Sequence, residues 1–134
     1  MYVWAGYGYC PSHCRWYWGA KLLLICTCDG TVTGFGLANP KLYGEREQAR
    51  QILEHQPANR AAPGPAVVTD WLRQRVEAII WALKHQLGLE HHGGRVSAGL
   101  WARVLQRLLA LNACIWHNWM IGAPVKRSLI AYDQ

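Results

Sequence analysis

The sequence predicts an α/β fold in a single domain, and three observations support this prediction. Asp29-Gly30 separates two short apolar runs, which is typical of a β-hairpin. Two long segments after residue 70 repeat apolar residues at helical spacing. The chain has 134 residues, of which 51% are hydrophobic and 16% are charged. A chain of this size and composition can bury a core, which excludes a disordered tail.

The first half of the chain predicts short elements. Residues 1–20 are rich in aromatic residues and glycine without a clear period, and we interpret them as an irregular segment. A hairpin follows, with a type I′ turn at Asp29-Gly30 that requires positive φ at both residues. Residues 44–55 predict a short, charged helix with its polar face toward water, and residues 66–69 predict a short β-branched strand.

The second half predicts two longer helices. The first begins at Asp70, where an N-cap residue is expected, and ends at Gly88. The second extends over residues 97–120 and is more apolar. The first helix is expected to bury one stripe, which consists of Leu72, Val76, Ile79, Ile80 and Leu83. The corresponding stripe of the second helix consists of Leu100, Val104, Leu108, Leu111 and Ile115.

The charge balance indicates a polyanionic partner. Fourteen Lys and Arg residues against eight Asp and Glu residues give a net charge of +6. This excess suits nucleic acid or an acidic membrane surface. Membrane insertion is not expected, because the longest apolar stretch, residues 108–123, is interrupted by Asn112, His117 and Asn118. The first 20 residues do not resemble a secretory signal, so the five cysteines are expected to be reduced thiols in a cytoplasmic protein.

Three charged side chains of the first long helix form the most informative pattern in the sequence. At 100° per residue, Arg73, Glu77 and Lys84 lie within about 40° of one another on the helix surface. A carboxylate between two cations suits a divalent metal and the phosphate that it activates. The alternative is a surface ion pair between Arg73 and Glu77 with an unrelated lysine, which contributes a few tenths of a kcal/mol.

The spacing Arg73-x3-Glu77-x6-Lys84 resembles the signature around the last catalytic carboxylate of DDE transposases from bacterial insertion sequences. The resemblance extends to residues 21–42, 67–70, 71–95 and 100–133, which together cover most of the chain. It implies an RNase H-like fold, here a partial one made of the hairpin, the short strand, the flanking helices and the C-terminal helix. In that family an Asp, Asp, Glu triad holds two Mg²⁺ ions that cleave DNA and join its strands.

The resemblance also implies roles for individual residues. Glu77 matches the triad glutamate and Asp70 matches the second aspartate, so both are expected to be catalytic residues and Mg²⁺ ligands. The signature's basic residues, Arg73 and Lys84, are expected to contact DNA phosphate. Lys126 and Arg127 form a separate short basic patch that either contacts phosphate or is simply solvated.

The chain departs from the family pattern in two places. It has no acidic residue before Asp29, so the first triad aspartate is absent. Asp70 and Glu77 are seven residues apart, where the family has a long intervening segment, and Trp71 replaces an expected Lys-Gly. Residues 1–134 are therefore expected to form a single incomplete DDE catalytic domain with an apparent deletion junction at 70/71. The expected function is that of an inactive transposase remnant that binds DNA, associates with itself or binds a full-length transposase.

Several alternatives remain open from the sequence. The whole protein is either this remnant or a non-catalytic basic module that binds DNA or a transposase. Cys10, Cys14, Cys26 and Cys28 are either zinc ligands or ordinary thiols. His91-His92 is either a reactive pair or a polar loop. The aromatic residues of the first 20 positions either stack on nucleic-acid bases or fill a core.

Overall fold

The computed structural model describes residues 4–10, 14–42, 44–54 and 70–123, and in the last range it describes side chains from Arg73 onward. Its strands are β1 (Gly6–Cys10), β2 (Arg15–Gly19), β3 (Lys21–Cys26) and β4 (Val32–Ala38), and its helices are α1 (Glu45–Glu54), α2 (Asp70–Trp81) and α3 (Ser97–Met120). The strands form two small antiparallel sheets, β1–β2 and β3–β4. The α/β class is confirmed, and the strand predicted over residues 66–69 lies outside the described residues.

The chain divides into two compact units, which are described separately. The first comprises Met1–Ile25 and Thr33–Ala62, and the second comprises Cys26–Val32 and Pro63–Gln134. The strands of the β3–β4 hairpin thus belong almost entirely to the first unit, while its tip belongs to the second.

Among the described residues of the first 20, Gly6–Cys10 and Arg15–Gly19 pair as a β-hairpin, so the prediction of an irregular segment was wrong. Strands β1 and β2 are antiparallel, with Tyr7 opposite Trp18 and Tyr9 opposite Trp16. Aromatic residues favour strands, but in β1 they alternate with glycines and in β2 they are consecutive, so neither strand alternates apolar with polar residues. On the other face, a Cβ atom at Gly8 would lie 2.4 Å from the Tyr17 ring, so glycine lets this ring lie over the strand.

Helix α1 packs on the first unit through a buried glutamine. The Gln48 amide donates to the Gly36 carbonyl oxygen at 2.8 Å. A Cβ atom at Gly36 would lie 2.9 Å from the Ile52 side chain, so glycine permits this close approach. An ion pair of 2.7 Å between Lys21 and Glu45 lies at the start of the helix. The helix predicted over residues 44–55 is confirmed.

The second unit is built from α2 and α3. The two predicted helices are confirmed, and α2 continues into a π-helical turn over Ala82–Gln86 that ends before Gly88, whose φ is 60°. Among the described residues of this unit, the buried apolar ones are Val32, Ile79, Ala82, Leu83, Leu100, Val104, Leu108 and Leu111. The stripe predicted for α3 is thus largely confirmed.

The stripe predicted for α2 is only partly correct, because Val76 and Ile80 are exposed. The buried face is centred on Ile79 and Leu83. Residues 76 and 80 lie about 60° and 100° around the helix from Ile79, outside this face. Among the helices described, none has the length and hydropathy needed to span a bilayer.

Candidate functional site

Arg73 and Glu77 meet on the exposed surface of α2. The Arg73 Nε atom lies 3.8 Å from Glu77 Oε1, and both side chains are mostly exposed to solvent. Four residues separate them, so helical geometry places one above the other on the same face. An exposed pair of this kind contributes about 0.3–0.5 kcal/mol. The structure thus contains the surface ion pair, and both charged groups remain accessible to a ligand.

Lys84 forms a different ion pair. Its Nζ atom lies 2.8 Å from Glu90 Oε1. Lys84 is part of the π-helical turn, which is closed by a hydrogen bond of 3.0 Å from the Leu87 amide to the Ala82 carbonyl oxygen. A π turn contains one more residue than an α turn, so a rotation of 100° per residue does not apply beyond Trp81. The structure therefore brings Arg73 and Glu77 together and pairs Lys84 with Glu90.

The remaining predicted site residues are described only in part. Asp70 is the first residue of α2, within one residue of its predicted cap position. Seven residues of helix separate Asp70 from Glu77 by about 10.5 Å along the axis. The side chain of Asp70, and the whole of Lys126 and Arg127, lie outside the described residues.

The described residues do not fit a two-metal centre. Within the described ranges, no group of three or more His, Cys, Asp or Glu side chains is placed to hold a metal ion. Two-metal phosphoryl transfer requires several carboxylates that converge on ions about 3.5–4 Å apart. Glu77 supplies one carboxylate, and its nearest ionic partner is the Arg73 guanidinium.

The cysteines are free thiols at the five positions Cys10, Cys14, Cys26, Cys28 and Cys114. Burial raises the pKa of Cys26 and of Cys114, which keeps both thiols protonated. Cys26 is the last residue of β3, and Cys28 lies beyond it in the turn.

The tip of the β3–β4 hairpin is a small polar network that the sequence did not reveal. The Gly30 amide donates to the Thr27 carbonyl oxygen at 3.0 Å, and the Thr27 amide donates to the Thr31 carbonyl oxygen at 2.9 Å. The Asp29 carboxylate accepts hydrogen bonds from the hydroxyls of Thr27 and Thr31. These bonds, with Thr27 as the largest cause, lower the pKa of Asp29.

The turn at this tip is not the predicted type I′ turn. Gly30 has a φ of 100°, whereas Cys14 is the one non-glycine residue with positive φ within the described ranges, so Asp29 has negative φ. The loop has three residues, Cys28, Asp29 and Gly30, and only the last needs the left-handed conformation. Three-residue hairpin loops commonly end in this way, so the prediction of a hairpin is confirmed and the turn type is corrected.

Side chains from both long helices hold the hairpin tip. The Arg75 guanidinium donates to the Asp29 carbonyl oxygen at 3.0 Å. The Asn112 amide makes two bonds to Val32, accepting from its N–H at 2.8 Å and donating to its C=O at 2.8 Å. Asn112 thus pairs with the first residue of β4 as a neighbouring strand would. In the sequence it was visible only as a polar interruption of an apolar run.

The segment between α2 and α3 is held by Arg107 and His92. Arg107 donates to the Leu87 carbonyl oxygen at 2.8 Å and so satisfies a group at the end of the π turn. His92 Nδ1 accepts a hydrogen bond of 2.9 Å from the Gly94 amide. Burial, followed by the charges of Arg107 and Arg103, lowers the pKa of His92. His92 therefore has a structural role in this loop.

The aromatic residues of the first hairpin are largely exposed. From the sequence, they were expected either to stack on nucleic-acid bases or to fill a core. Four of them lie on one face of β1–β2 and are exposed, namely Tyr7, Tyr9, Trp16 and Trp18. Trp4 and Tyr17 are partly buried. Core packing therefore does not account for the four exposed rings.

Three comparisons bear on the identity of the chain. Comparison with known protein families, with curated proteins and with solved structures found no match. The functional interpretation therefore depends on the α2 signature, on the charge of the chain and on the surfaces described above.

Proposed function

We propose that this chain is a transposase-family protein that derives from a metal-dependent enzyme of DNA cleavage and strand transfer, and that by itself it is an inactive remnant. The observation that carries the proposal is the Arg73-x3-Glu77-x6-Lys84 signature on α2. In this proposal the fold is a partial RNase H-like fold, the partner is DNA and the compartment is the cytoplasm.

The accessibility of the Arg73–Glu77 pair supports a contact with DNA. Because the guanidinium is exposed and pairs with Glu77 at the surface, a phosphate can replace the carboxylate as its partner. Guanidinium groups bind phosphate through two parallel hydrogen bonds, which are stronger than bonds between neutral groups. Arg73 is accordingly proposed to bind phosphate. Lys84 would have to leave Glu90 to do the same.

The proposed loss of activity rests on the carboxylates. Residues 1–28 contain no acidic side chain, and only seven positions separate Asp70 from Glu77. The Mg²⁺ expected from the family therefore lacks most of the ligands that a two-metal reaction requires. A single ion held weakly by Glu77, mostly through water, is compatible with the few protein ligands that Mg²⁺ often has.

The net charge of +6 favours a second candidate, a non-catalytic basic module that binds DNA or a transposase. Such a module needs cations on its surface and no converging carboxylates. The two candidates differ in whether the Arg73–Glu77 pair contributes more than any other surface ion pair.

The chain offers a control arginine for this test. Arg50 on α1 is exposed and pairs with Glu54 four residues later at 3.7 Å, and it also pairs with Glu47 at 2.8 Å. If the signature binds phosphate, Arg73→Gln will weaken binding to duplex DNA and reduce the slope of log affinity against log salt by about 0.9. Arg50→Gln will change both less. Equal effects of the two substitutions would favour the basic module.

Activity is tested with supercoiled DNA in the presence of Mg²⁺ or Mn²⁺. The proposal expects no nicking by the purified chain. Nicking that disappears in Glu77→Ala but persists in Glu54→Ala would show that the catalytic site is intact and would contradict the loss of activity.

A further inference from the structure

The β1–β2 hairpin presents four aromatic side chains on one face, which we call the aromatic face: Tyr7, Tyr9, Trp16 and Trp18. Their exposed fractions are 61%, 48%, 71% and 54%. Tyr and Trp are costly to expose in such a group, and contiguous exposed apolar patches usually mark binding sites.

The strand register explains why these rings share one face. Tyr7 is opposite Trp18 and Tyr9 is opposite Trp16, and side chains two residues apart on a strand point to the same side. The intervening positions point to the opposite side, where Tyr17 covers Gly8. The hairpin thus separates one covered face from one aromatic face.

The arrangement of the rings leaves ring surfaces available. Tyr9 and Trp16 have centroids 5.2 Å apart and planes inclined by 54°. Trp18 meets Trp4 edge-on, with centroids 6.1 Å apart and an angle of 63°. Neither pair is stacked face to face. The rings therefore support one another through edges and keep surface area for a planar ligand.

The spacing of the aromatic face matches an unstacked strand of nucleic acid. Consecutive rings on one strand are two residues apart, which corresponds to about 6.8 Å. This is about twice the spacing of 3.4 Å between bases stacked along one strand of a duplex. Bases lying on these rings must therefore be spread apart, as only a single strand allows. Stacking on aromatic rings is the usual way in which proteins bind single strands without sequence preference.

The charge of the hairpin favours a polyanionic ligand. Arg15 is exposed and lies in β2 on the face opposite the four rings, and residues 1–28 contain no acidic side chain. The hairpin therefore offers no carboxylate to the arginine of a second copy, and the whole chain carries a net charge of +6. A phosphate backbone supplies the missing negative charge.

We propose that the aromatic face binds single-stranded DNA, with bases stacked on the four rings and the phosphate backbone attracted by the net positive charge of the chain. The stacking follows from the hairpin alone. The choice of DNA over RNA rests on the proposed function, since the rings do not distinguish the two sugars.

The test measures binding of the full chain to a short fluorescent oligo(dT) by anisotropy at fixed salt. Alanine in place of one stacked ring is expected to weaken binding by about 5- to 150-fold. We expect this loss for Trp16→Ala and Trp18→Ala, and nearly wild-type binding for Trp16→Phe, which keeps a ring. The matched control is Trp119→Ala on α3, because Trp119 is also 71% exposed.

Several results would overturn the proposal. One is equal binding by Trp16→Ala and Trp119→Ala when far-UV circular dichroism shows both variants folded. Another is competition by duplex DNA that is as effective as competition by oligo(dT). Tighter binding of oligo(U) than of oligo(dT) would reject DNA as the ligand, and loss of a dimer in Trp16→Ala by sedimentation would assign the face to self-association. Different ligands separate the two proposals, because the proposed function is tested by binding of duplex DNA to Arg73→Gln and the aromatic face by binding of oligo(dT) to Trp16→Ala.

Discussion

Replacing Asn112 by alanine is expected to destabilise the second unit strongly, although the residue lies on a helix surface between apolar neighbours. The substitution removes both bonds of 2.8 Å to Val32 and leaves the N–H and C=O of that residue without their partner. Val32 is only 8% exposed, so water cannot readily replace the amide. Each buried group left unsatisfied costs about 1–3 kcal/mol.

The net effect must include helix propensity. Alanine favours a helix interior over asparagine by about 0.5 kcal/mol, which offsets part of the loss. We therefore expect the free energy of unfolding to fall by about 2–5 kcal/mol. Urea denaturation followed by circular dichroism measures this change.

The control for this prediction is Gln106→Ala, an exposed position on the same helix. Glutamine and alanine have similar helix propensities, so this variant should remain within about 0.5 kcal/mol of the wild type. If Asn112→Ala were as stable as Gln106→Ala, the two bonds to Val32 would not hold the hairpin tip, and the account of this unit would be wrong.

Three further predictions concern pH, salt and concentration. The pKa of His92 in the folded chain lies below its ordinary value of 6.5. As the pH falls below 6.5, the unfolded chain therefore takes up a proton before the folded chain does, and the free energy of unfolding decreases. In urea titrations at several pH values, His92→Gln should weaken this pH dependence and His91→Gln should not. Binding to duplex DNA should be independent of sequence, and the log of the affinity should fall with log salt with a slope of about −0.9 per phosphate contacted. A strong preference for one duplex sequence at about 0.2 M salt, which is close to physiological ionic strength, would contradict this. The exposed apolar side chains at the end of α3, which include Trp116, Trp119 and Met120, predict concentration-dependent association in analytical ultracentrifugation, whereas a monomer across the micromolar range would count against it.

The long helices were predictable because their signal is strong and local. Apolar residues recur at helical spacing through α3, and its observed bounds equal the predicted ones. The first hairpin was missed because alternation of aromatic residues with glycine does not resemble alternation of apolar with polar residues. The geometry of the second turn also depends on φ angles that the Asp29-Gly30 pair alone does not determine.

The candidate site was predictable to the same extent as its helix. The pairing of Arg73 with Glu77 follows from their spacing within a regular α-helix. The position of Lys84 does not, because the π turn after Trp81 depends on how the end of α2 packs. Asn112 was missed because its partner is 80 residues away, and no local pattern connects the two.

The division of the β3–β4 hairpin between the two units has a consequence for truncation and folding. Cys26–Val32 belongs to the second unit, although the other residues of that unit all come after position 62. A C-terminal fragment that begins at Pro63 would lack the Asp29 carbonyl oxygen, to which Arg75 donates, and Val32, to which Asn112 is hydrogen-bonded. Such contacts between distant positions form late, since a long loop must close before they contribute. The second unit should therefore complete its folding only after the loop between this turn and the long helices has closed.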